Sequence, residues 1–260
     1  MKLKIGIIGF GNMGKAFALA LKKEQKSHIF VYDKDRRKYQ GIQGFKFSGN
    51  IKELAQKVDI VILAVKPQDL AQFLKQFGEC LKTKLLISIA AGITFNFFQK
   101  YIKKPRLIRA MPNLAAKIKS SVSFICKGEF AAEKDLTIAK KIFLSIGEVI
   151  VTKENRLNEV TALSGSGPGY VFYFMDSIYK AALKLGFNKK DARKTITQVF
   201  LGASKLAKES KEDFQTLVKG VASKHGTTEA ALKVFEQNKI KKTIENALDA
   251  ACKRASEMAK

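Results

Sequence analysis

At 260 residues the chain is long enough for one large domain or two smaller ones, each with its own apolar core. Its 46% hydrophobic content is that of an ordinary globular protein, and its longest apolar runs, near residues 58–65 and 85–93, are too short to cross a bilayer. The net charge of +25 is mostly lysine, only seven of the 48 basic residues being arginine, and its scatter fits a solvated surface that attracts anionic metabolites rather than a nucleic-acid face.

Residues 3–8 form a β-branched apolar run that ends in Gly9-Phe10-Gly11-Asn12-Met13-Gly14, and a helix-forming segment follows at once. Strand, glycine turn and helix in this order cradle a dinucleotide pyrophosphate on a helix N-terminus. Gly9 permits the tight turn, Gly11 admits the phosphates and Gly14 lets helix pack on strand. The first apolar stretch is therefore read as a strand and not as a secretion signal.

Further strands are expected at 28–32, 60–65, 85–90, 107–110, 121–126 and 148–152. Helices are expected at 14–23, 51–56, 68–77 and 131–144. This alternation predicts an α/β fold with a doubly wound, mainly parallel Rossmann-type sheet. In such a sheet ligands sit at the carboxyl ends of strands, which singles out the turns at Lys66-Pro67, at residues 88–94 and at 109–113. Asp33, at the end of the second strand, would accept hydrogen bonds from an adenine ribose and favour NADH. Lys34, Arg36 and Arg37 follow it and could instead hold the 2′-phosphate of NADPH. The cofactor is thus NADPH or NADH, with a lean towards usable NADH.

After about residue 155 the strand signals stop. Residues 156–185 are apolar with helical spacing, and the glycine-rich segment 165–169 predicts a kink or local unwinding. Helices are expected at 191–208, 213–219, 228–237 and 241–258, with Thr228 and Glu229 heading the third as a cap. These signals divide the chain into a dinucleotide-binding domain over 1–154 and an all-helical domain over 155–260. The broad apolar faces of 156–185 and 191–208 exceed what so small a domain can cover, which predicts a homodimer or a larger ring built on dimers. Residues 161–170 and 223–228 place small hydroxyl and glycine residues beside helix starts, where exposed N–H groups suit a carboxylate. No metal-ligand cluster or nucleophilic triad stands out, which fits chemistry carried by a cofactor. Cys80, Cys126 and Cys252 are odd in number and lack metal-type spacing, pointing to thiols in a reducing cytoplasm.

Together GFGNMG, Asn50, LAVKP, SIAAGIT, RAMPN, ALSGSGPGY and the GTT loop resemble the pyrroline-5-carboxylate reductase family in order and spacing, from about residue 3 to 237. The resemblance implies hydride delivery from NAD(P)H to the C=N carbon of Δ1-pyrroline-5-carboxylate, giving L-proline. It also implies a helical C-terminal dimerisation domain. Ile8, Gly9, Phe10, Gly11, Asn12 and Met13 then fall on cofactor-contact positions, as do Asn50, Ala64, Val65, Lys66, Pro67, Ile89, Ala90 and Ala91. Ser223, Gly226, Thr227 and Thr228 fall on the loop that holds the substrate, with Thr228 the candidate partner of the ring nitrogen. One departure is visible: the family loop usually reads Ser-Pro-Gly-Gly-Thr-Thr, and here Lys224 and His225 replace the proline and first glycine. Reduction of another cyclic imine and β-hydroxyacid dehydrogenation are the alternatives, although segment 164–169 lacks the lysine the latter would use. A cofactor-sensing or nucleic-acid-binding protein is the non-enzymatic alternative.

Overall fold

The computed structural model describes residues 3–23 and 27–259. Eight strands form one sheet: β1 (Leu3–Ile8), β2 (Ser27–Tyr32), β3 (Lys46–Phe47), β4 (Ile60–Leu63), β5 (Leu85–Ser88), β6 (Leu107–Met111), β7 (Ser121–Lys127) and β8 (Gly147–Val151). Their order is β3-β2-β1-β4-β5-β6-β7-β8, and every neighbour is parallel except the β6–β7 pair. The chain therefore leaves β1 in one direction to build β2 and β3, then crosses back to β4. That reversal beside β1 is the switch point where doubly wound sheets bind ligands.

Alternation along the strands sends apolar side chains to both faces. Ile5, Ile7, Ile60, Ile62 and Ile87 join one core with Phe17 and Leu21 of α1 (Asn12–Lys23) and Phe143 of α5 (Glu133–Leu144). Ile8, Val61, Leu63 and Leu86 join the other with Leu54 of α2 (Ile51–Lys57), Leu70 and Leu74 of α3 (Pro67–Leu81) and Phe98 of α4 (Phe95–Gln99). Two partly buried ion pairs tie the far half of the sheet: Arg106 Nη2 meets Asp135 at 2.6 Å, and Arg109 Nη1 meets Glu154 at 2.5 Å.

The strand and helix order agrees with the sequence reading, with differences at the carboxyl ends. β4 stops at Leu63 and β5 at Ser88, because the following residues turn out of the sheet where the helices must begin. β3 and α4 were not expected: β3 spans two residues, and α4 is a single turn capped by the Thr94 hydroxyl, which accepts from Phe97 N at 3.2 Å.

Two compact units are present, residues 1–168 with 251–260, and residues 169–250. The division falls later than residue 154 because α6 (Leu157–Val160) and the π-helical turn Thr161–Gly165 pack on the sheet. Ser164 donates to the Val122 carbonyl at 3.4 Å, and a Cβ on Gly165 would stand 2.4 Å from the Met111 methyl. The irregularity expected at 165–169 falls earlier, in this π turn, which is closed by Ser166 N donating to Thr161 O; α7 (Gly167–Lys184) is already regular helix from Gly167. Pro168 sits in the first turn of α7, where its missing N–H costs nothing.

The second unit continues with α8 (Lys189–Glu209), α9 (Phe214–Val221), α10 (Thr227–Gln237) and most of α11 (Ile240–Glu257). Asn188 and Asp213 cap α8 and α9, accepting from Asp191 N at 2.9 Å and Thr216 N at 2.7 Å. The last residues of α11 belong to the first unit, where a Cβ on Gly92 would stand 2.8 Å from the Met258 carbonyl oxygen.

Candidate functional site

The turn between β1 and α1 has the geometry that a pyrophosphate needs. Gly9 has φ +97°, a left-handed conformation that side chains disfavour, and a Cβ there would stand 2.4 Å from the Ala64 carbonyl oxygen. A Cβ on Gly14 would stand 1.9 Å from the Gly9 carbonyl oxygen, so the helix approaches the turn more closely than any alanine allows. Gly11 contrasts with both: nothing lies within 4 Å of its Cβ position. The first α1 hydrogen bond runs from Lys15 N to Gly11 O at 2.9 Å, which leaves the N–H groups of the first turn, at Asn12 and Met13, without intrahelical partners. An open, glycine-lined helix N-terminus of this kind fits the phosphates of a dinucleotide.

Phe10 and Ile8 contribute backbone only. The Phe10 ring is fully buried against Tyr39, Phe45 and Phe47, and the Ile8 carbonyl accepts from Ala64 N at 2.8 Å. That bond, and Ile89 N donating to Leu63 O at 3.2 Å, bring the turns after β1, β4 and β5 together. Val65 and Ala64 are half-buried there, Lys66 is exposed as the N-cap of α3, and Pro67 occupies its first position. Ala90 is buried, with its N–H donating to the Ser88 hydroxyl at 3.3 Å, while Ile89 and Ala91 are half-buried. Asn50 is exposed and caps α2, accepting from Glu53 N at 2.8 Å, and Glu53 reaches back to Gly49 N at 2.9 Å.

Asp33, expected from the sequence to accept hydrogen bonds from an adenine ribose, is engaged within the protein. Its side chain is 5% exposed and already makes four contacts with three partners: Phe10 N at 2.6 Å, Asp35 N at 2.8 Å, and Lys38 Nζ at 3.0 and 2.8 Å from its two oxygens. Burial works against its charge, but the Lys38 ammonium and the two N–H groups outweigh burial and hold its pKa below the ordinary carboxylate value. Lys38 lies five residues on in a 3₁₀ turn (Arg36–Tyr39), a partnership that no local periodicity announces.

The loop at 223–228 lies in the second unit. Gly226 N donates to Ser223 O at 2.9 Å, closing a tight turn, and Gly226 is the N-cap of α10 with no side-chain cap. The helix thus starts at Thr227, one residue before the expected cap at Thr228, because Glu229 supplies the reciprocal contact by accepting from His225 N. That bond, with Lys233 Nζ at 3.2 Å, holds the Glu229 pKa down. Thr227 and Thr228 therefore occupy the first turn, where N–H groups point out of the helix end. A Cβ on Gly226 would meet the Ser223 hydroxyl at 2.4 Å. His225 stands at φ +60°, in the left-handed region that favours glycine.

The comparisons with known proteins match two families to the chain, one in each half. The family described as "NADP oxidoreductase coenzyme F420-dependent" matches residues 4–92, and "Pyrroline-5-carboxylate reductase dimerisation" matches residues 154–258. The pyrroline-5-carboxylate reductase of Haemophilus influenzae is 34% identical over 98% of this chain and 97% of its own length. That of Aquifex aeolicus is 31% identical over 99% and 98%. Among solved structures, a pyrroline-5-carboxylate reductase from Coxiella burnetii superimposes with a TM-score of 0.92 at 30% identity over all of both chains. The Plasmodium falciparum pyrroline carboxylate reductase, solved with NADP bound, gives 0.91 at 27% identity over 99% of this chain and 98% of that one. Full-length identity above 30%, the same fold end to end and the glycine turn in its place together decide the matter: the chain belongs to the pyrroline-5-carboxylate reductase family.

Proposed function

We propose that this chain is an NAD(P)H-dependent reductase of Δ1-pyrroline-5-carboxylate and forms L-proline. The observation that carries the reading is the β1–α1 turn, where Gly9 and Gly14 close the backbone and Gly11 leaves open the space a pyrophosphate needs. When bound, reduced nicotinamide supplies a hydride to the carbon of the C=N bond, and the nitrogen gains a proton. The backbone at Gly11, Asn12 and Met13 holds the phosphates, and the turns at Ala64–Pro67 and Ile89–Ala91 flank the cofactor with small or aliphatic side chains. In the second unit, the N–H groups at the start of α10 receive the substrate carboxylate, with Ser223 and Gly226 shaping the loop. The Thr228 hydroxyl hydrogen-bonds the ring nitrogen; a protonated imine is already electrophilic, so orientation rather than a strong base supplies the rate.

The second unit also supports a homo-oligomer, a dimer or a larger ring built on dimers. Among its described residues only Ala192 and Ile196 are buried apolar side chains, whereas Phe172, Tyr173, Phe214 and Val221 are between 58 and 78% exposed. Helices with so little core of their own are stabilised by another surface. A cytoplasmic location fits Cys80, Cys126 and Cys252, which are all unpaired. No helix among the described residues is long and apolar enough to cross a membrane. The reading is tested by titrating the protein with NADPH and with pyrroline-5-carboxylate: each should bind, Gly11→Val should weaken the first at least tenfold, and Thr228→Ala should weaken the second alone.

A further inference from the structure

Glu154 joins distant parts of the first unit at a single atom. It opens a short 3₁₀ turn (Glu154–Arg156) just after β8, and its Oε1 accepts from Arg109 Nη1 at 2.5 Å and from Phe95 N at 2.7 Å, across 45 and 59 residues of sequence. The Arg109 side chain is buried, and its guanidinium lies 5.8 Å from the centre of the Phe95 ring. Gly128 borders the same ring, since a Cβ there would stand 3.0 Å from two of its carbons. Carboxylate, guanidinium and Phe95 therefore hold one another in place.

Phe95 ends the turn that begins after Ser88, the last residue of β5. A dinucleotide whose pyrophosphate rests on the β1–α1 turn lies along the carboxyl edge of the sheet, with its adenosine towards β2 and its nicotinamide towards β4 and β5. The turn after β5, two strands and about 10 Å from β1, faces the nicotinamide half. At its near end Ile89 N donates to Leu63 O at 3.2 Å and Ala90 N to the Ser88 hydroxyl at 3.3 Å. Behind it, Gly92 backs onto the Met258 carbonyl, 2.8 Å from where its Cβ would stand. The far end rests on a side chain, Glu154, through Phe95 N. Such an anchor matters for rate, because a misplacement of about 1 Å between reacting groups costs about a hundredfold.

We propose that Glu154 is a positioning residue for hydride transfer: through the Phe95 N–H and the Arg109 guanidinium it sets the turn at residues 89–92 against the nicotinamide half of the cofactor. This rests on the reductase reading above. Removing the carboxylate releases the Phe95 N–H and leaves a buried guanidinium without its counter-charge. The turn then loses its far anchor, while the phosphate turn at Gly9–Gly14 keeps its own contacts.

Three substitutions test it, read by single-turnover oxidation of NADPH, by NADPH affinity and by hydrogen exchange of the cofactor-free protein. In Glu154→Ala the single-turnover rate should fall about tenfold or more, while the NADPH dissociation constant stays within about threefold of wild type. Peptides covering residues 89–95 should exchange about tenfold faster or more in the same variant. Glu154→Gln keeps an oxygen where Phe95 N–H and Arg109 meet it, and should remain within about threefold of wild type in all three measurements. Glu154→Asp keeps the charge but withdraws it by one methylene; it should be slow like Glu154→Ala, and it serves instead if the alanine variant does not fold. Asp135→Asn, which weakens the Arg106 pair of the same sheet, controls for lost stability and should leave the single-turnover rate unchanged. A Glu154→Ala protein that melts lower yet keeps its single-turnover rate, or a Glu154→Gln protein as slow as Glu154→Ala, would overturn the inference while leaving the reductase reading standing. Failure of wild type to oxidise NADPH with pyrroline-5-carboxylate would overturn both.

Discussion

Three glycines within six residues are chemically identical and physically different. Adding a methyl group at Gly14 drives it into the Gly9 carbonyl, and at Gly9 into that of Ala64, so substitution there strains backbone against backbone. Gly11 has no such neighbour. Gly11→Val is therefore expected to keep the melting temperature within a few degrees of wild type while raising the NADPH dissociation constant at least tenfold, a loss of about 1.4 kcal/mol or more. Gly14→Ala should do the reverse, destabilising the fold by about 2 kcal/mol or more. Equal effects of the two substitutions on stability would contradict the assignment. The substrate loop gives a second contrast. Thr228→Ala should lower kcat/KM for the imino acid by about 10–100-fold, or about 1.4–2.7 kcal/mol, with cofactor affinity unchanged. His225→Gly should retain activity and stabilise by up to about 1 kcal/mol, because glycine adopts the left-handed φ of +60° without steric cost. Loss of activity in His225→Gly with no change in Thr228→Ala would move the functional group to His225. Gly9 and Gly14 were legible in the sequence because a left-handed φ at the one and a close approach at the other demand glycine, and Gly11 through its place in their spacing. The fate of Asp33 was not, since its partners Phe10 and Lys38 lie on a turn and a 3₁₀ segment whose meeting depends on the whole sheet.

Among the elements, α5 is anchored by a contact that titrates. Asp135, in its first turn, is fully buried and accepts from Arg106 and from Ala132 N. Burial opposes its charge, but the Arg106 guanidinium and the Ala132 N–H prevail, and its pKa is lowered, as is that of Asp33. For a carboxylate with a depressed pKa the stabilisation is complete above the unfolded value, near pH 4, and is lost as pH falls through the folded value. Denaturant melts should therefore be flat from about pH 7 to 5 and lose stability below about pH 4. Asp135→Asn should cost about 2 kcal/mol at pH 7, less than a fully buried pair because Arg106 is 40% exposed, and should flatten the acid slope. An unchanged slope in the variant would remove Asp135 from the account. Element order was readable because buried parallel strands are short apolar runs separated by amphipathic helices. The two-residue β3 and the single-turn α4 carry too few residues to show a period. The π turn at Thr161–Gly165 depends on Gly165 approaching Met111, which local spacing does not encode.

At the scale of the whole molecule, the first unit carries its own cores and the second does not. Only Ala192 and Ile196 are buried apolar side chains among the described residues of 169–250, so its exposed aromatic and aliphatic side chains are expected to be covered by another copy. Light scattering at low micromolar concentration should show a dimer or a multiple of one, and an active monomer would contradict this. The apolar excess of these helices was visible in the sequence; which of their faces would remain bare was not. The most direct test of the central claim follows dinucleotide oxidation and proline formation in the same reaction, with pyrroline-5-carboxylate supplied to the purified chain. The account predicts substrate-dependent oxidation of NADPH, matched mole for mole by proline and lost in Gly11→Val. A folded protein that binds NADPH yet forms no proline from this substrate would contradict it.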